Sequence, residues 1–273
     1  VDKTPLIKNY YQIHVAFETI DSMGANFINS CLEQIAKSFK SQIDGFKNFS
    51  DTDKKIDIVM SIMSNYVPNC LARSQVRCPI KKLGNQNGLD PKHFSKKIIQ
   101  AIEIAKNEPY RAVTHNKGIM NGVDAVLIAT GNDFRAVEAG IHAYAARNGK
   151  YSSLTNAYEE KNDFIFEITI PIAIGTVGGL TSLHPLVKWS LELLGNPSSS
   201  ELMQIIAAVG LSQNFGALKS LITSGIQIGH MKMHLLNILN QNKATQKQKI
   251  KAIEFFKNKP ITHGEVTNFL KSN

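Results

Sequence analysis

Residues 114–139 form the segment that most restricts how this chain can fold. They read THNKGIMNGVDAVLIATGNDFRAVEA, with apolar residues at helical spacing on both sides of Gly131. Thr114 and Asn116, which are natural N-cap residues, lie just before Lys117. Glycine commonly ends a helix, and Gly131 follows the first apolar run. The segment therefore predicts two helices, one from Lys117 to Gly131 and one that starts at Asn132-Asp133 and runs through Ala145.

Lys117 and Asp133 are the ionisable pair of this segment. A lysine that opens a helix lies against the positive end of the helix dipole, at a cost of roughly 0.3–1 kcal/mol. Held there, with the Asp133 carboxylate one helix away, it suits negative charge that develops on a bound carbonyl oxygen. The alternative is an exposed lysine and an aspartate that only caps a helix.

The same segment, followed and preceded by four others, resembles the bacterial-type (class II) hydroxymethylglutaryl-CoA reductases. The four other segments are DSMGAN (21–26), GTVGG (175–179), AAVGLSQNF (207–215) and IQIGHM (226–231). Each is a weak signal alone, but together with residues 114–139 they make five segments in the family's order, which is a specific signal. The resemblance implies an α+β fold with a small α/β cofactor domain that is incomplete at its N-terminus (1–82). A larger helix-rich substrate domain (83–226) and a mobile helical C-terminal flap (227–273) would follow.

The resemblance also implies a reaction, the reduction of hydroxymethylglutaryl-CoA to mevalonate and CoA by NADH or NADPH, or its reverse. Lys117 would neutralise the oxyanion, Asp133 would tune that lysine, and His230 would protonate the departing thiolate. The implied substrate contacts are Arg111, Thr114, Asn121 and Gln213. The implied cofactor contacts are Asp21, Met23, Gly24, Ala25, Asn26 and Asn65.

One family feature is missing from the chain. The catalytic glutamate lies in an N-terminal section of the family, and no glutamate before Lys117 sits in a comparable motif. We therefore expect the C-terminal two-thirds of a reductase, with little or no activity alone. A homodimer with its active site at the subunit interface is expected from the resemblance. The alternatives are a non-catalytic CoA- or nucleotide-binding fragment and an unrelated basic scaffold that binds nucleic acid.

Composition narrows these alternatives. The net charge of +9 comes mostly from scattered lysines, without the aromatic and basic interleaving of nucleic-acid binders. Three cysteines without a CxxC motif indicate a reducing cytoplasm. The apolar stretch Ile168–Leu180 is too short and too broken by proline and glycine to span a bilayer. His230 and His234 have HxxxH spacing without the following glutamate, so we expect no zinc site.

Periodicity and turn residues predict the remaining elements. Strands are expected at Tyr10–Phe17, Ile56–Ser64, Leu71–Cys78, Tyr151–Tyr158 and Phe164–Ile170. Helices are expected from Asp21-Ser22 to Phe39, from Pro91 to Glu108, from Ser182 to Leu194, after Ser198, and up to Lys271. Small residues in the first turn of the helix at Asp21 would allow a ligand or a neighbouring element to approach closely. Gln213-Asn214 interrupts an apolar stripe, and buried amides need partners, of which a ligand is one.

Overall fold

The structure, a computed structural model, describes residues 2–3, 7–86, 88–257, 259 and 261–272, without the side chains of 2–3 and 226–232. The helices are α1 (Ala25–Asp44), α2 (Pro91–Asn107), α3 (Pro109–Ala129), α4 (Phe134–Ala145), α5 (Leu180–Leu183), α6 (Pro185–Leu193), α7 (Ser199–Ile222), α8 (Ile226–Gln241), α9 (Gln246–Phe255) and α10 (His263–Lys271). The strands are β1 (Asp2–Lys3), β2 (Tyr11–Gln12), β3 (Leu71–Pro79), β4 (Thr155–Glu160) and β5 (Asp163–Pro171). This helix-rich arrangement is the predicted α+β class.

A three-stranded antiparallel sheet in the order β3-β5-β4 supports the helices. The predicted hairpin is confirmed, with a tighter turn than expected. Lys161 and Asn162 adopt φ of 50° and 71°, which matches the twist of the two strands. Alternate and consecutive side chains of β5, among them Phe164, Phe166 and Ile168, are buried in the main core. β3 pairs with β5 along its whole length, so the residues before position 82 contribute to this sheet.

Helices α3 and α7 form the main helix pair beside the sheet. A Cβ on Gly122 would lie 3.0 Å from the Val209 carbonyl oxygen, and one on Gly210 would lie 2.9 Å from Val123 Cγ2. The two glycines therefore let the helices approach closely. Their contact buries Ile119, Val123 and Leu127 completely.

The start of α3 corrects the prediction for Lys117. The helix begins at Pro109, because the Glu108 carboxylate accepts hydrogen bonds from the backbone N–H groups of Tyr110 and Arg111. An acidic N-cap followed by proline is a strong start signal. Thr114 is a mid-helix residue whose hydroxyl donates to the Tyr110 carbonyl oxygen at 3.2 Å. Lys117 is therefore not at a helix N-terminus, and the predicted conflict with the helix dipole is wrong.

Two predicted strands are also wrong. Of Tyr10–Phe17, only Tyr11–Gln12 is extended and paired, and it pairs with β1. Residues 56–64 form no strand, because the described part of the chain offers them no ladder partner. Their apolar side chains are instead exposed, including Val59 at 66% and Met60 at 67%. Helix α1 starts later than predicted, with Gly24 as its N-cap at φ 70°, so residues 21–24 form a loop before the helix.

The C-terminal half follows the predicted element order. Ser198 caps α7 through a capping box with Glu201, and α7 is one continuous helix where the sequence indicated two apolar segments. Within the described residues, α7 is long and apolar enough to cross a membrane, a test that core helices of soluble proteins also pass. Beyond it, α8–α10 pack around a separate cluster that includes Leu239, Ala252 and Val266.

Candidate functional site

The predicted substrate residues lie together on the exposed side of α3. Thr114, Lys117 and Asn121 have spacings of three and four residues, which place them on one helical stripe. Gln213 on α7 joins them, because its Cβ lies only 2.9 Å from where a Cβ on Gly122 would be. All four side chains are exposed. The ammonium group of Lys117 forms no ion pair or hydrogen bond with any residue that the structure describes.

Arg111 begins this stripe and has an unusual environment. It is half-buried, and burial lowers the pKa of its guanidinium group, which nevertheless stays charged at neutral pH. Within the described chain no carboxylate pairs with it. A half-buried, unpaired guanidinium is suited to bidentate binding of a carboxylate or phosphate.

Asp133 lies far from Lys117 in the same chain. It is the N-cap of α4, where its Oδ1 accepts hydrogen bonds from the backbone N–H groups of Arg135 and Ala136, both at 3.1 Å. Residues 117 to 129 of α3 rise about 18 Å along the helix axis before the chain turns into α4. This rise exceeds the length of a lysine side chain, and among the described residues Lys117 and Asp133 form no ion pair within one chain.

Residues predicted to bind the cofactor gather around the start of α4 instead. The loop at residues 172–179 contacts the loop at residues 21–24, because the Asp21 carbonyl oxygen accepts hydrogen bonds from Thr176 N–H at 2.9 Å and Val177 N–H at 3.3 Å. A Cβ on Gly175 would lie 2.6 Å from Met23 N. The Asp21 Oδ1 accepts a hydrogen bond from the Ser199 N–H at 2.7 Å, which ties this loop to the first turn of α7.

The N-terminus of α1 and residue 65 complete this region. Among the described residues, no side chain caps α1, so Ala25 and Asn26 are the first residues of an uncapped helix that follows Gly24. Asn65 is exposed, and its carbonyl oxygen lies 2.6 Å from where a Cβ on Gly140 of α4 would be. The predicted site residues thus fall into two groups, one along α3 and one around α4. His230 lies outside the residues whose side chains are described.

A buried polar network behind the α3 stripe was missed at the level of sequence. His115 is 1% exposed, and its Nε2 lies 2.7 Å from the Thr155 hydroxyl, which donates to Asn214 Oδ1 at 3.1 Å. Burial, and then the charge of Arg111, lower the pKa of His115 to about 3. The partner of the Asn214 amide is therefore internal and not a ligand, whereas Gln213 is exposed. The sequence contained a signal for burial of His115. It lies four residues before Ile119, which is buried, and residues four apart lie on the same face of a helix.

Asp124 is a half-buried polar residue on α3. Its Oδ1 is inaccessible to solvent and has no hydrogen-bond partner among the described residues. Burial, with a smaller contribution from Glu138 on α4, raises the pKa of Asp124 to about 6, and His142 opposes this shift. His142 also lies 3.6 Å from the Glu138 carboxylate and 2.7 Å from the Tyr151 hydroxyl. Asp124 therefore ionises at a cost in the folded protein.

We expect Asp124→Asn to stabilise the protein at pH 8 by roughly 0.5–1 kcal/mol, a value reduced for solvent screening. The pKa of Asp124 is raised on folding, so its favourable contribution exists below its unfolded pKa and is lost as pH rises through about 6. The gain should therefore shrink at pH 5. Urea unfolding of the variant and of Asp57→Asn, an exposed control, checks this. Equal stability changes at both pH values would contradict it.

Comparisons with known proteins were made against families, curated proteins and solved structures. A profile of the family described as hydroxymethylglutaryl-coenzyme A reductase matches residues 2–235. The chain is 38% identical over 242 residues to the 3-hydroxy-3-methylglutaryl-coenzyme A reductase of Archaeoglobus fulgidus, a match that covers 89% of this chain and 52% of that protein. It is 36% identical over 231 residues to the probable reductase of Borreliella burgdorferi, covering 84% and 50%. The chain thus spans about half the length of the curated relatives it matches.

Solved structures agree with these matches. The class II 3-hydroxy-3-methylglutaryl-CoA reductase of Streptococcus pneumoniae, bound to NADPH in open conformations, aligns with a TM-score of 0.68 at 40% identity. That alignment covers 76% of this chain and 53% of the other. A further structure from the same organism aligns with a TM-score of 0.69 at 36% identity, covering 93% and 58%.

Proposed function

The chain belongs to the hydroxymethylglutaryl-coenzyme A reductase family, and on that premise we propose that it forms part of an enzyme that reduces hydroxymethylglutaryl-CoA to mevalonate and CoA. Two hydrides are needed, because the thioester first becomes an aldehyde-level species and then an alcohol. The observation that carries the proposal is the α3 stripe, where an exposed lysine without a described partner lies beside Asn121 and Gln213.

Each residue of the stripe has a proposed role. Lys117 neutralises the oxygen that becomes negative during each reduction. Arg111 and Thr114 bind the substrate carboxylate, a role supported by the half-buried, unpaired guanidinium. Asn121 and Gln213 hold the reacting carbonyl, and His230 protonates the CoA thiolate.

We propose that Lys117 and Asp133 act together only across two copies of the chain. The support is the length of α3, which rises about 18 Å between Lys117 and its last residue, Ala129, before the chain turns towards Asp133. A homodimer in which α3 of one subunit faces the start of α4 of its partner would join the substrate group to the cofactor group. Asp133 would then orient the lysine through a charge-assisted hydrogen bond.

The residues around α4 fit a nicotinamide dinucleotide. The uncapped start of α1 offers backbone N–H groups to a pyrophosphate, and Gly24 lets that backbone approach the ligand closely. Met23, Ala25, Asn26 and Asn65 would border the same ligand. NADPH is bound by the Streptococcus pneumoniae relative, and we propose NADPH or NADH here. Bound there, the reduced nicotinamide supplies the hydride.

The low activity expected of this chain alone stays a prediction. The proposed division into a cofactor part (1–82), a substrate part (83–226) and a flap (227–273) and the cytoplasmic location stay predictions. The alternative is a fragment that binds CoA or a nucleotide without catalysis. The chain spans about half the length of the curated relatives, so the binding fragment is kept as the second candidate.

Reconstitution separates the two functions. The chain is mixed with the N-terminal section of a relative, such as that of Archaeoglobus fulgidus, and nicotinamide absorbance is followed with hydroxymethylglutaryl-CoA present. We expect oxidation of two NADPH per thioester in the mixture and almost none with either part alone. NADPH or CoA binding without oxidation in an assembled complex would support the binding fragment instead.

A further inference from the structure

Asn132 is a side chain to which the sequence assigned only a helix start. It lies in the turn between α3 and α4, directly before Asp133. Its Oδ1 accepts a hydrogen bond from the Gly175 N–H at 2.9 Å, and its Nδ2 lies 3.1 Å from the Thr130 hydroxyl oxygen and 3.4 Å from the Thr130 carbonyl oxygen. The Asn132 amide therefore links the end of α3 to the loop at residues 172–179.

The orientation of this amide follows from its neighbours. The Thr130 hydroxyl donates its proton to the Val126 carbonyl oxygen at 2.8 Å, so it can only accept from Asn132. A flipped amide would place its NH₂ group against the Gly175 N–H and its oxygen against two acceptors of Thr130. Only one orientation satisfies all these groups, with Oδ1 as the acceptor for the Gly175 N–H and Nδ2 as the donor to Thr130.

The loop that Asn132 holds supports the proposed cofactor loop. Gly175 lies against Met23, and Thr176 N–H donates to the Asp21 carbonyl oxygen at 2.9 Å. The Asp21 carboxylate binds the Ser199 N–H, and the Ser199 hydroxyl donates to the Ile20 carbonyl oxygen at 2.7 Å. An unbroken set of contacts thus runs from the turn that carries Asp133, through residues 175 and 176, to the loop at residues 21–24 and the start of α7.

We propose that Asn132 is a positioning residue that fixes the loop at residues 21–24 relative to Asp133. In this arrangement the Asp21 Oδ1 holds that loop on α7 through the Ser199 N–H. The part of the proposal that concerns the cofactor rests on the proposed function. The part that concerns the position of the loop at residues 21–24 rests only on contacts within the chain.

The test compares Asn132→Leu, which loses both the acceptor and the donor, with Asn132→Asp, which keeps the acceptor for Gly175. Amide hydrogen exchange is followed by NMR in the full chain without ligand. We expect Asn132→Leu to speed exchange of the Gly175 and Thr176 amides by about tenfold, the loss typical of one hydrogen bond, and to speed exchange in residues 21–24. Asn132→Asp should restore protection of Gly175. Asn107→Leu, which removes an amide-to-backbone bond at the end of α2, is the control and should leave both loops unchanged.

NADPH affinity is then measured by nicotinamide fluorescence on the chain reconstituted with the N-terminal section of a relative. We expect Asn132→Leu to weaken binding by at least about tenfold and Asn132→Asp to recover most of it. The proposal is overturned if residues 175, 176 and 21–24 of Asn132→Leu exchange at the wild-type rate. It is also overturned if their exchange is faster but the affinity for NADPH is unchanged. If Asn132→Leu does not fold, the exchange rate of the Gly175 amide in Asn132→Asp decides between the outcomes. Loss of protection of that amide in Asn132→Asp also overturns the proposal. If the wild-type complex does not bind NADPH, the proposed function fails, while the exchange data still test the role of Asn132.

Discussion

Replacing Gly175 by alanine is expected to displace the loop at residues 21–24 and to destabilise the chain by about 1–3 kcal/mol. The added Cβ would lie 2.6 Å from Met23 N and 3.1 Å from the Asp21 carbonyl oxygen. Both contacts are with backbone, so no side-chain rotation relieves them. Urea unfolding measures the loss of stability, and hydrogen exchange of residues 21–24 measures the local displacement.

Gly216→Ala is the matched control for this substitution. Gly216 lies inside α7, and a Cβ there meets no atom within 4 Å. Alanine in an open helical position stabilises by roughly 0.5–1 kcal/mol. The two variants should therefore change stability in opposite directions. A Gly175→Ala protein as stable as wild type, with unchanged exchange in residues 21–24, would show that the two loops do not pack as the structure has them.

The second large effect concerns pH and His115. Its pKa falls from 6.5 to about 3 on folding, because the imidazole is buried against Thr155. Below pH 6.5, His115 therefore binds a proton in the unfolded chain, whereas in the folded chain it stays neutral until the pH approaches 3. The stability contributed by the neutral imidazole is complete above pH 6.5 and is lost progressively as pH falls toward 3. Between pH 7 and pH 5 we expect the free energy of unfolding to drop by about 2 kcal/mol from this residue.

His115→Gln isolates that contribution, since an amide can still donate to the Thr155 hydroxyl but does not titrate. The difference in unfolding free energy between wild type and His115→Gln should shrink by about 2 kcal/mol from pH 7 to pH 5. His93→Gln, at an exposed position on α2, is the control and should show no such change. Asp124 titrates with the opposite sign in part of this range, so only differences between variants are compared. A pH-independent difference would contradict burial of a neutral His115.

Local signals in the sequence were sufficient where an element is specified by its own residues. Helix α2 begins at Pro91 after the Asp90 cap, as predicted, and the Ser198 capping box starts α7. The hairpin of β4 and β5 was likewise predictable, because aromatic and β-branched residues dominate β5 and the turn between the strands is polar. These features depend on neighbours a few residues away.

The errors arose where two local signals competed or where a distant partner decides. Thr114 and Asn116 look like caps, but Glu108-Pro109 is the stronger start signal, and choosing the wrong one moved Lys117 from the middle of α3 to its end. The rise of about 18 Å between residues 117 and 129 is the same for the predicted and the observed helix. The corrected start therefore changes only the electrostatic environment of Lys117, which no longer lies at a helix N-terminus.

The cofactor residues show the same limit. DSMGAN was interpreted as the first turn of a helix, whereas Asp21 and Met23 are held in a loop by Gly175, Thr176 and Ser199, which lie more than a hundred residues away in sequence. The sequence indicates Asn132 only as a helix start, because its partner Gly175 lies 43 residues further along the chain. The sequence identified the family and the motifs, but the contacts between motifs required the structure.

We propose that the Lys117 ammonium stabilises the negative oxygen that forms during thioester reduction. The most direct test is the rate of NADPH oxidation by the chain reconstituted with the N-terminal section of a relative, compared between wild type and Lys117→Ala. The account predicts a loss of about 10²–10³-fold in rate, with NADPH binding retained. Lys188→Ala, at an exposed position on α6, should keep the full rate. A Lys117→Ala complex that reduces hydroxymethylglutaryl-CoA as fast as wild type would contradict the account.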